Sequence, residues 1–315
     1  MYMFQSYLEE LSKESGIRFK LSFLEGKEIF SSLKGIKKSS CINKEIALGR
    51  EKGMLTLEKG NENCASLLGF SINKKYIDLR YYREQMIMDI LEGKGAAFEA
   101  ISSTLPFLLR KSTLFLISTD GNNYDVLATV KELYEEQKAV AIVYDQSILL
   151  FGEFSAPYDH ARGIVEAINT ELFLKAYIAY EVIPEGSFAV KTAFEKAKEA
   201  LAIGKNYSFK NMIFTSGDLL FEKAVQNIAP SIKKELIQGM EESLSELDAD
   251  MLNTIEEFIA SGLNISEAAK KLFVHRNTLI YRLEKLAKDT GYDVRNFKEA
   301  LVFYVTFLLW KENIK

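Results

Sequence analysis

The sequence predicts a multidomain α+β protein: an N-terminal α/β module, a middle α/β sandwich and an all-α C-terminal domain. Three observations carry this expectation. Residues 17–31 and 44–58 alternate apolar and polar side chains with the two-residue period of half-buried antiparallel strands. Residues 112–215 alternate strand-like apolar runs with amphipathic helical ones, the pattern of a sheet layered with helices. From residue 251 onward the pattern reads as helices.

Composition sets the bounds. A chain of 315 residues is long enough for two or three domains with their own cores. Hydrophobic residues at 48% and charged residues at 27% are ordinary for a soluble globular protein. Four prolines and the absence of a long polar tract argue against disordered linkers. Cys41 and Cys64 have no zinc-type spacing and read as reduced thiols of a cytoplasmic protein. The opening MYMFQSYLEELSKESG carries acidic residues where a secretory signal would be basic. The longest apolar stretch, 301–310, is far short of the roughly 20 residues of a membrane span, so no membrane partner is expected.

Residues 1–80 begin with an amphipathic helix over 4–14, broken at Gly16. The two alternating stretches follow as hairpins, with Glu25-Gly26 as the first turn and Lys52-Gly53 as the second. A helix plus hairpins is the material of small PAS- or GAF-like sensor modules, so this segment is expected to be sensor-like. From 61 to 93 apolar residues recur at three- and four-residue steps, which predicts one long helix. Such a helix either sits in a core or connects modules and pairs with a second copy of itself, and residues 81–111 are assigned as connecting helices.

In the middle segment, 112–237, Asp145-Gln146-Ser147 interrupts two short strands as a hairpin turn. Ser187 is placed to cap the last helix of that layer. Residues 238–250 are acidic and short of large apolar residues, and read as a linker or exposed helix start leading into the domain 238–315.

In that last domain, 252–260 forms a first helix that stops at Ser261-Gly262. Ser266 is expected to cap a short helix whose Ala268, Ala269 and Leu272 face inward, the alanines letting a second helix cross closely. Phe273-Val274 make the turn. The next helix starts at His275 and buries Leu279, Leu283 and Leu286. A closing helix over 297–311 is expected to pack Leu301, Tyr304, Val305, Leu308 and Leu309 on the others, leaving Phe303, Phe307 and Trp310 for a partner domain or subunit.

Charge sharpens the reading. The formal net charge is −4, yet residues 251–315 hold 10 basic and 8 acidic side chains, leaving −6 on the rest. Within 264–288 six basic residues face only Glu267 and Glu284. The field at the contact surface matters more for nucleic-acid binding than the global sum. A recognition helix enters the major groove by its N-terminal turn. Arginine there bonds bidentately to guanine and asparagine to adenine, and threonine touches the thymine methyl. Arg276-Asn277-Thr278 supplies all three residue types, with His275 at the helix start in a capping or DNA-contacting role. Tyr281, Arg282, Lys285, Lys270 and Lys271, with Ser266, are assigned to the backbone-holding side of the same surface.

These residues carry a resemblance. The stretch LNISEAAKKLFVHRNTLIYRLEKLAKDTGYD resembles the C-terminal helix-turn-helix of the PucR/CdaR family of transcriptional regulators, most specifically in Leu272-Phe273-Val274-His275-Arg276-Asn277-Thr278-Leu279 and Tyr281-Arg282-Leu283. REQMIMDILEGK at 83–94 is similar to the helix preceding that family's middle domain, and 112–215 looks like its GGDEF-related domain, a degenerate nucleotide-cyclase-like sandwich. The resemblance implies double-stranded DNA as partner, catabolic genes as targets, a homodimer reading two half-sites, and a small-molecule effector bound by residues 1–80 or by the α/β domain.

The rival classes are weighed on inventory. A diguanylate cyclase needs paired glycines and acidic residues on its hairpin to admit phosphates and hold metal. Gly152-Glu153-Phe154 keeps only a fragment of that pattern. His160 has no nucleophile or metal partner in the sequence and reads as a surface or capping residue. No glycine-rich phosphate loop, HExxH or nucleophile elbow occurs. No catalytic residue, cofactor or metal is therefore expected. The remaining alternative is a pure interaction protein that uses its helix-turn-helix as a protein-docking surface.

Overall fold

The computed structural model describes residues 2–33, 35, 40–49, 51–94, 97–134, 139–185, 189–207 and 211–313. The fold is mixed α/β and divides into two compact units, Met1–Lys198 and Glu199–Lys315.

The first unit opens with α1 (Tyr2–Ser15) and an antiparallel sheet of β1 (Phe19–Phe23), β2 (Glu28–Ser31), β3 (Cys41–Leu48) and β4 (Glu51–Glu58), in the order β2-β1-β4-β3. Register explains the core. Phe19 lies opposite Leu57 and Leu21 opposite Leu55, so the alternation places all four on one face, and all four are fully buried. The β1–β2 turn runs through Glu25-Gly26, with Gly26 at φ +91°. The β3–β4 turn corrects the sequence reading. It lies at Gly49, φ +64°, whereas Lys52 and Gly53 are paired strand residues opposite Ala47 and Ile46. Glycine at 53 has a packing cause: a Cβ there would come within 2.7 Å of Leu48 Cδ1. α2 (Ala65–Leu91) then runs unbroken through the expected boundary at 80, burying Leu68 and Ile72 against this sheet.

After α3 (Phe98–Thr104) come β5 (Ser112–Thr119), α4 (Asn123–Leu133), β6 (Ala139–Tyr144), β7 (Ser147–Gly152), α5 (Pro157–Leu172) and β8 (Ala176–Ile183). Within this unit the strands lie in the order β6-β7-β5-β8 with antiparallel neighbours, a split βαβ arrangement. Asp145 and Gln146, φ 47° and 59°, form the two-residue β6–β7 turn, and Ser147 already belongs to β7. Gly152-Glu153-Phe154 therefore lies at the far end of β7, not at the hairpin tip. Phe154 packs edge-on against Phe115 at 5.0 Å, and Glu153 pairs with Arg110 at 3.4 Å. His160 sits in the first turns of α5, its ring 4.8 Å from that of Phe154 and its Nδ1 3.3 Å from the Tyr134 hydroxyl. Burial pushes the Tyr134 phenol up to about 12. The cap expected from Ser187 falls outside the described residues.

The second unit contains the end of α6 (Val190–Tyr207), the short β9 (Ile213–Phe214), and the helices α7 (Leu220–Gln226), α8 (Pro230–Gln238), α9 (Glu241–Ser245), α10 (Ala249–Ala260), α11 (Ile265–Lys271), α12 (Arg276–Thr290) and α13 (Phe297–Asn313). Two expectations are corrected. Residues 238–250 are not a bare linker: Met240 and Leu244 are buried in the same core as α10 to α13. Sparse apolar content hid them, because a helix as short as α9 needs only one inward residue per turn. Phe303, Phe307 and Trp310 are core residues as well, whereas Leu301 is 44% exposed. α7 and α8 cover a further side of α13, whose later turns, residues 306–311, are buried.

Its last turn is pinned by charge. Lys311 is 2% exposed and donates to Glu256 Oε1 and to the Tyr207 carbonyl, both at 2.9 Å. Glu312 accepts from the Tyr207 hydroxyl at 2.8 Å, and burial with that contact holds the phenol above its ordinary range.

One substitution tests the packing at the start of this unit. Alanine normally stabilises a helix by about 0.5–1 kcal/mol over glycine. At Gly204 of α6 the added Cβ would stand 2.5 Å from the buried ring of Phe214. Overpacking costs about 1–3 kcal/mol, so the clash outweighs the propensity gain. Gly204→Ala is expected to lower the thermal midpoint, read by circular dichroism; a raised midpoint would refute this packing.

Candidate nucleic-acid interface

The interface is built by α10, α11 and α12. Asp248 caps α10 by accepting the Met251 amide at 2.7 Å. The helix ends at Ser261, and Gly262 and Leu263 both take φ +63° to reverse the chain. Asn264, not Ser266, caps α11: its Oδ1 accepts the amides of Ser266 and Glu267 at 3.0 and 3.1 Å. Ser266 lies inside the first turn of the helix, exposed. Serine and asparagine cap about equally well, so the backbone reversal at 262–263 decides which one stands at the helix entrance.

Ala268 and Ala269 are buried at the crossing of α11 with α12. Leu272 ends α11, and the turn closes when the Val274 amide donates to the Ala269 carbonyl at 3.0 Å. Phe273 takes φ +55° in that turn and is 96% exposed. His275 then caps α12, its Nδ1 accepting the Asn277 amide at 3.3 Å. Leu279, Leu283 and Leu286 are fully buried, and α12 ends at Gly291, φ 78°.

The opposite face of α12 is open. Arg276, Asn277 and Thr278 are exposed side by side in the first turn, followed by Tyr281, Lys285 and Lys288. The basic residues that look alike in the sequence behave differently. Lys285 and Lys270 are exposed. Lys271 is exposed but paired, 3.2 Å from Glu267 and 3.5 Å from Glu257, and the hydrogen bond with Glu267 raises its ammonium above the ordinary range. Arg282 turns back into the domain: Nη1 donates to Thr254 Oγ1 at 2.9 Å and Nη2 to Asp250 Oδ2 at 3.2 Å. Its side chain is 24% exposed and ties α12 to α10. No spacing rule in the sequence flags that bond, because its partners lie 28 and 32 residues away.

Another arginine completes the frame. Arg295 brackets Asp293 with Nε and Nη2, both at 2.8 Å, and reaches Glu284 of α12 at 3.4 Å. These bonds hold the Asp293 carboxyl below the usual carboxylate range. The sequence reading did not single out this pair. Among the described residues no cluster of three or more His, Cys, Asp or Glu is arranged to hold a metal ion, and no helix is long and apolar enough to cross a membrane.

Comparison with known proteins agrees with the geometry. Residues 251–309 match the PucR C-terminal helix-turn-helix domain. The chain is similar to the carbohydrate diacid regulator of Escherichia coli, 23% identical over 269 residues, covering 84% of this chain and 66% of that one. It is similar to the proline-responsive transcriptional activator PutR of Bacillus subtilis, 33% identical over 237 residues, covering 68% and 56%. A third relative, the purine catabolism regulatory protein of Bacillus subtilis, is 40% identical over 60 residues, covering 19% and 11%. The chain thus spans less than two thirds of the length of these relatives. Its α10–α13 region is a PucR-type helix-turn-helix domain, carried on a chain homologous to transcriptional regulators of that kind.

Proposed function

We propose that this chain is an effector-responsive transcription regulator that binds double-stranded DNA as a homodimer and controls catabolic genes. The observation that carries this reading is the first turn of α12, where Arg276, Asn277 and Thr278 stand exposed while the leucines behind them are buried. That geometry suits entry of the helix N-terminus into a major groove. Arg276 and Asn277 then read base edges, while Lys285, Lys270 and the half-turn around Tyr281 hold phosphates. Relatives named as regulators of diacid, proline and purine metabolism support the catabolic assignment.

The remaining parts of the reading follow the layout. Residues 1–80 serve as sensor, 81–111 as connection, 112–237 as a cyclase-related layer without catalysis, and 238–315 as the reading head. The order of elements in β5 to β8 supports the cyclase-related reading. The hairpin tip Asp145-Gln146 offers no glycine pair for phosphate approach, which supports a non-enzymatic role. An effector switches such a protein only by binding two arrangements of the reading heads with different affinity.

Arg276→Ala is expected to weaken operator binding by about 1–3 kcal/mol and to relax preference at one base position, measured by selection from a random DNA pool. Lys285→Ala should weaken all sequences equally and reduce the salt slope by about 1. Affinity independent of salt in the unsubstituted protein would instead identify a protein-docking surface. Arg282→Ala should behave differently from both. Loss of hydrogen bonds to a charged group removes about 1.5–3 kcal/mol of stability, so its thermal midpoint falls without DNA present, while that of Lys285→Ala does not.

A further inference from the structure

α2 is a 27-residue helix with two unlike faces. One face carries Leu68, Ile72, Met86 and Ile87 into the interior of the first unit. The other presents Leu67, Phe70, Lys74, Asp78, Tyr81 and Gln85 to solvent, at steps of three and four residues. At 100° per residue these six lie within about 80° of the helix circumference, so they form one straight stripe along five turns. The apolar members are far from incidental contacts with water: Leu67 is 73% exposed, Phe70 67% and Tyr81 60%, with Tyr82 on the flank at 46%. Surface-exposed large apolar residues are common singly, but here Leu67 and Phe70 at one end and Tyr81 and Tyr82 at the other bracket the charged pair Lys74 and Asp78 on one helix, a grouping that marks a surface that meets a partner.

The order of residues along the stripe identifies the partner. A two-fold axis placed across the helix at position 76 exchanges position 74 with 78, 70 with 82 and 67 with 85. A second copy of the helix, running antiparallel, therefore sets Lys74 opposite Asp78 and Asp78 opposite Lys74, with the ring of Phe70 meeting that of Tyr81 on the same edge of the seam. Both charge contacts are attractive and they occur at the centre of the seam, flanked by apolar residues on either side. A parallel copy would place Lys74 against Lys74 and Asp78 against Asp78. The stripe is self-complementary in one direction only, which is the property an isologous interface requires.

We propose that the exposed face of α2 is the seam of a homodimer, two copies pairing antiparallel about position 76. The inference deepens the dimeric reading above by giving the partner surface, and it does not depend on DNA being the ligand. In this arrangement the two-fold axis lies between two copies of a helix that carries core residues of the first unit, so relative movement of the two sensors is transmitted through the same helix that joins the copies.

The test is a charge exchange read as mass in solution, with the full-length chain and no DNA. Multi-angle light scattering of the unsubstituted protein at tens of micromolar should give a dimer. Lys74→Asp brings four acidic groups to the centre of the seam and Asp78→Lys four basic ones. Each variant alone should dissociate at least about tenfold more readily, from juxtaposed like charges. An equimolar mixture of the two should recover the dimer, since every contact is then attractive. The doubly exchanged protein, Lys74→Asp with Asp78→Lys, should also be dimeric, and it excludes loss of folding as the cause. A monomeric unsubstituted protein, or single variants that stay dimeric, would overturn the seam. Loss of DNA binding with the dimer intact would instead count against the DNA reading alone.

Discussion

The buried leucine row of α12 is the constraint on which the candidate interface rests. Leu279, Leu283 and Leu286 have no exposed surface, and they share a core with Ile255 and Phe258 of α10 and with Ala268 and Ala269 of α11. Burial of a leucine side chain contributes about 1.5–3 kcal/mol, so three in one row fix the rotation of the helix about its own axis. Once that rotation is fixed, Arg276, Asn277, Thr278 and Lys285 have no direction but outward. The small side chains at 268 and 269 let the crossing be close, and the left-handed residue Phe273 turns the chain between the helices without lengthening the connection.

Charge is distributed on this frame in two ways. Lys285 and Lys270 remain exposed at the surface. Arg282 is bound within the domain by Thr254 and Asp250, and Arg295 by Asp293 and Glu284. Both arginines brace the middle of α12, one at Arg282 itself and the other through Glu284. Their planar, multi-donor heads suit that bracing better than an ammonium group does. The local excess of positive charge around the helix-turn-helix thus overstates the charge available to a ligand, because part of it is already neutralised inside the domain.

The first unit is organised by a similar asymmetry on a larger scale. α2 lies on the first sheet through Leu68 and Ile72, and its later turns lie against β6. One helix therefore serves two layers with one face. Its other face keeps an ordered row of large apolar residues around two opposite charges, a pattern with no internal use in the described residues of its own unit.

Much of this was legible in the sequence. The period-2 alternation marked the buried faces of β1 and β4, the three- and four-residue steps marked α2 and α12, and the turn residues Asp145-Gln146-Ser147 placed the hairpin to within one residue. The exposed first turn of α12 was legible because polarity and position coincide there. These properties are local: they depend on residues a few positions apart, whose geometry the backbone period sets. Tertiary structure decided the rest. Whether Gly49 or Gly53 made the turn depended on the register of β3 on β4, which pairs Leu48 with Glu51 and Ile46 with Gly53. Whether Asn264 or Ser266 capped α11 depended on the chain reversal before it. Whether Phe303, Phe307 and Trp310 faced a partner or a core depended on α9 to α12, which bring Leu244, Ile255, Ala269 and Leu283 into the same cluster. Arg282 became a brace because Asp250 and Thr254, about 30 residues earlier, arrive beside it only when three helices have packed. A sequence records the chemistry of each side chain and its nearest neighbours, while the partner that decides between two uses of the same chemistry is brought in by the fold.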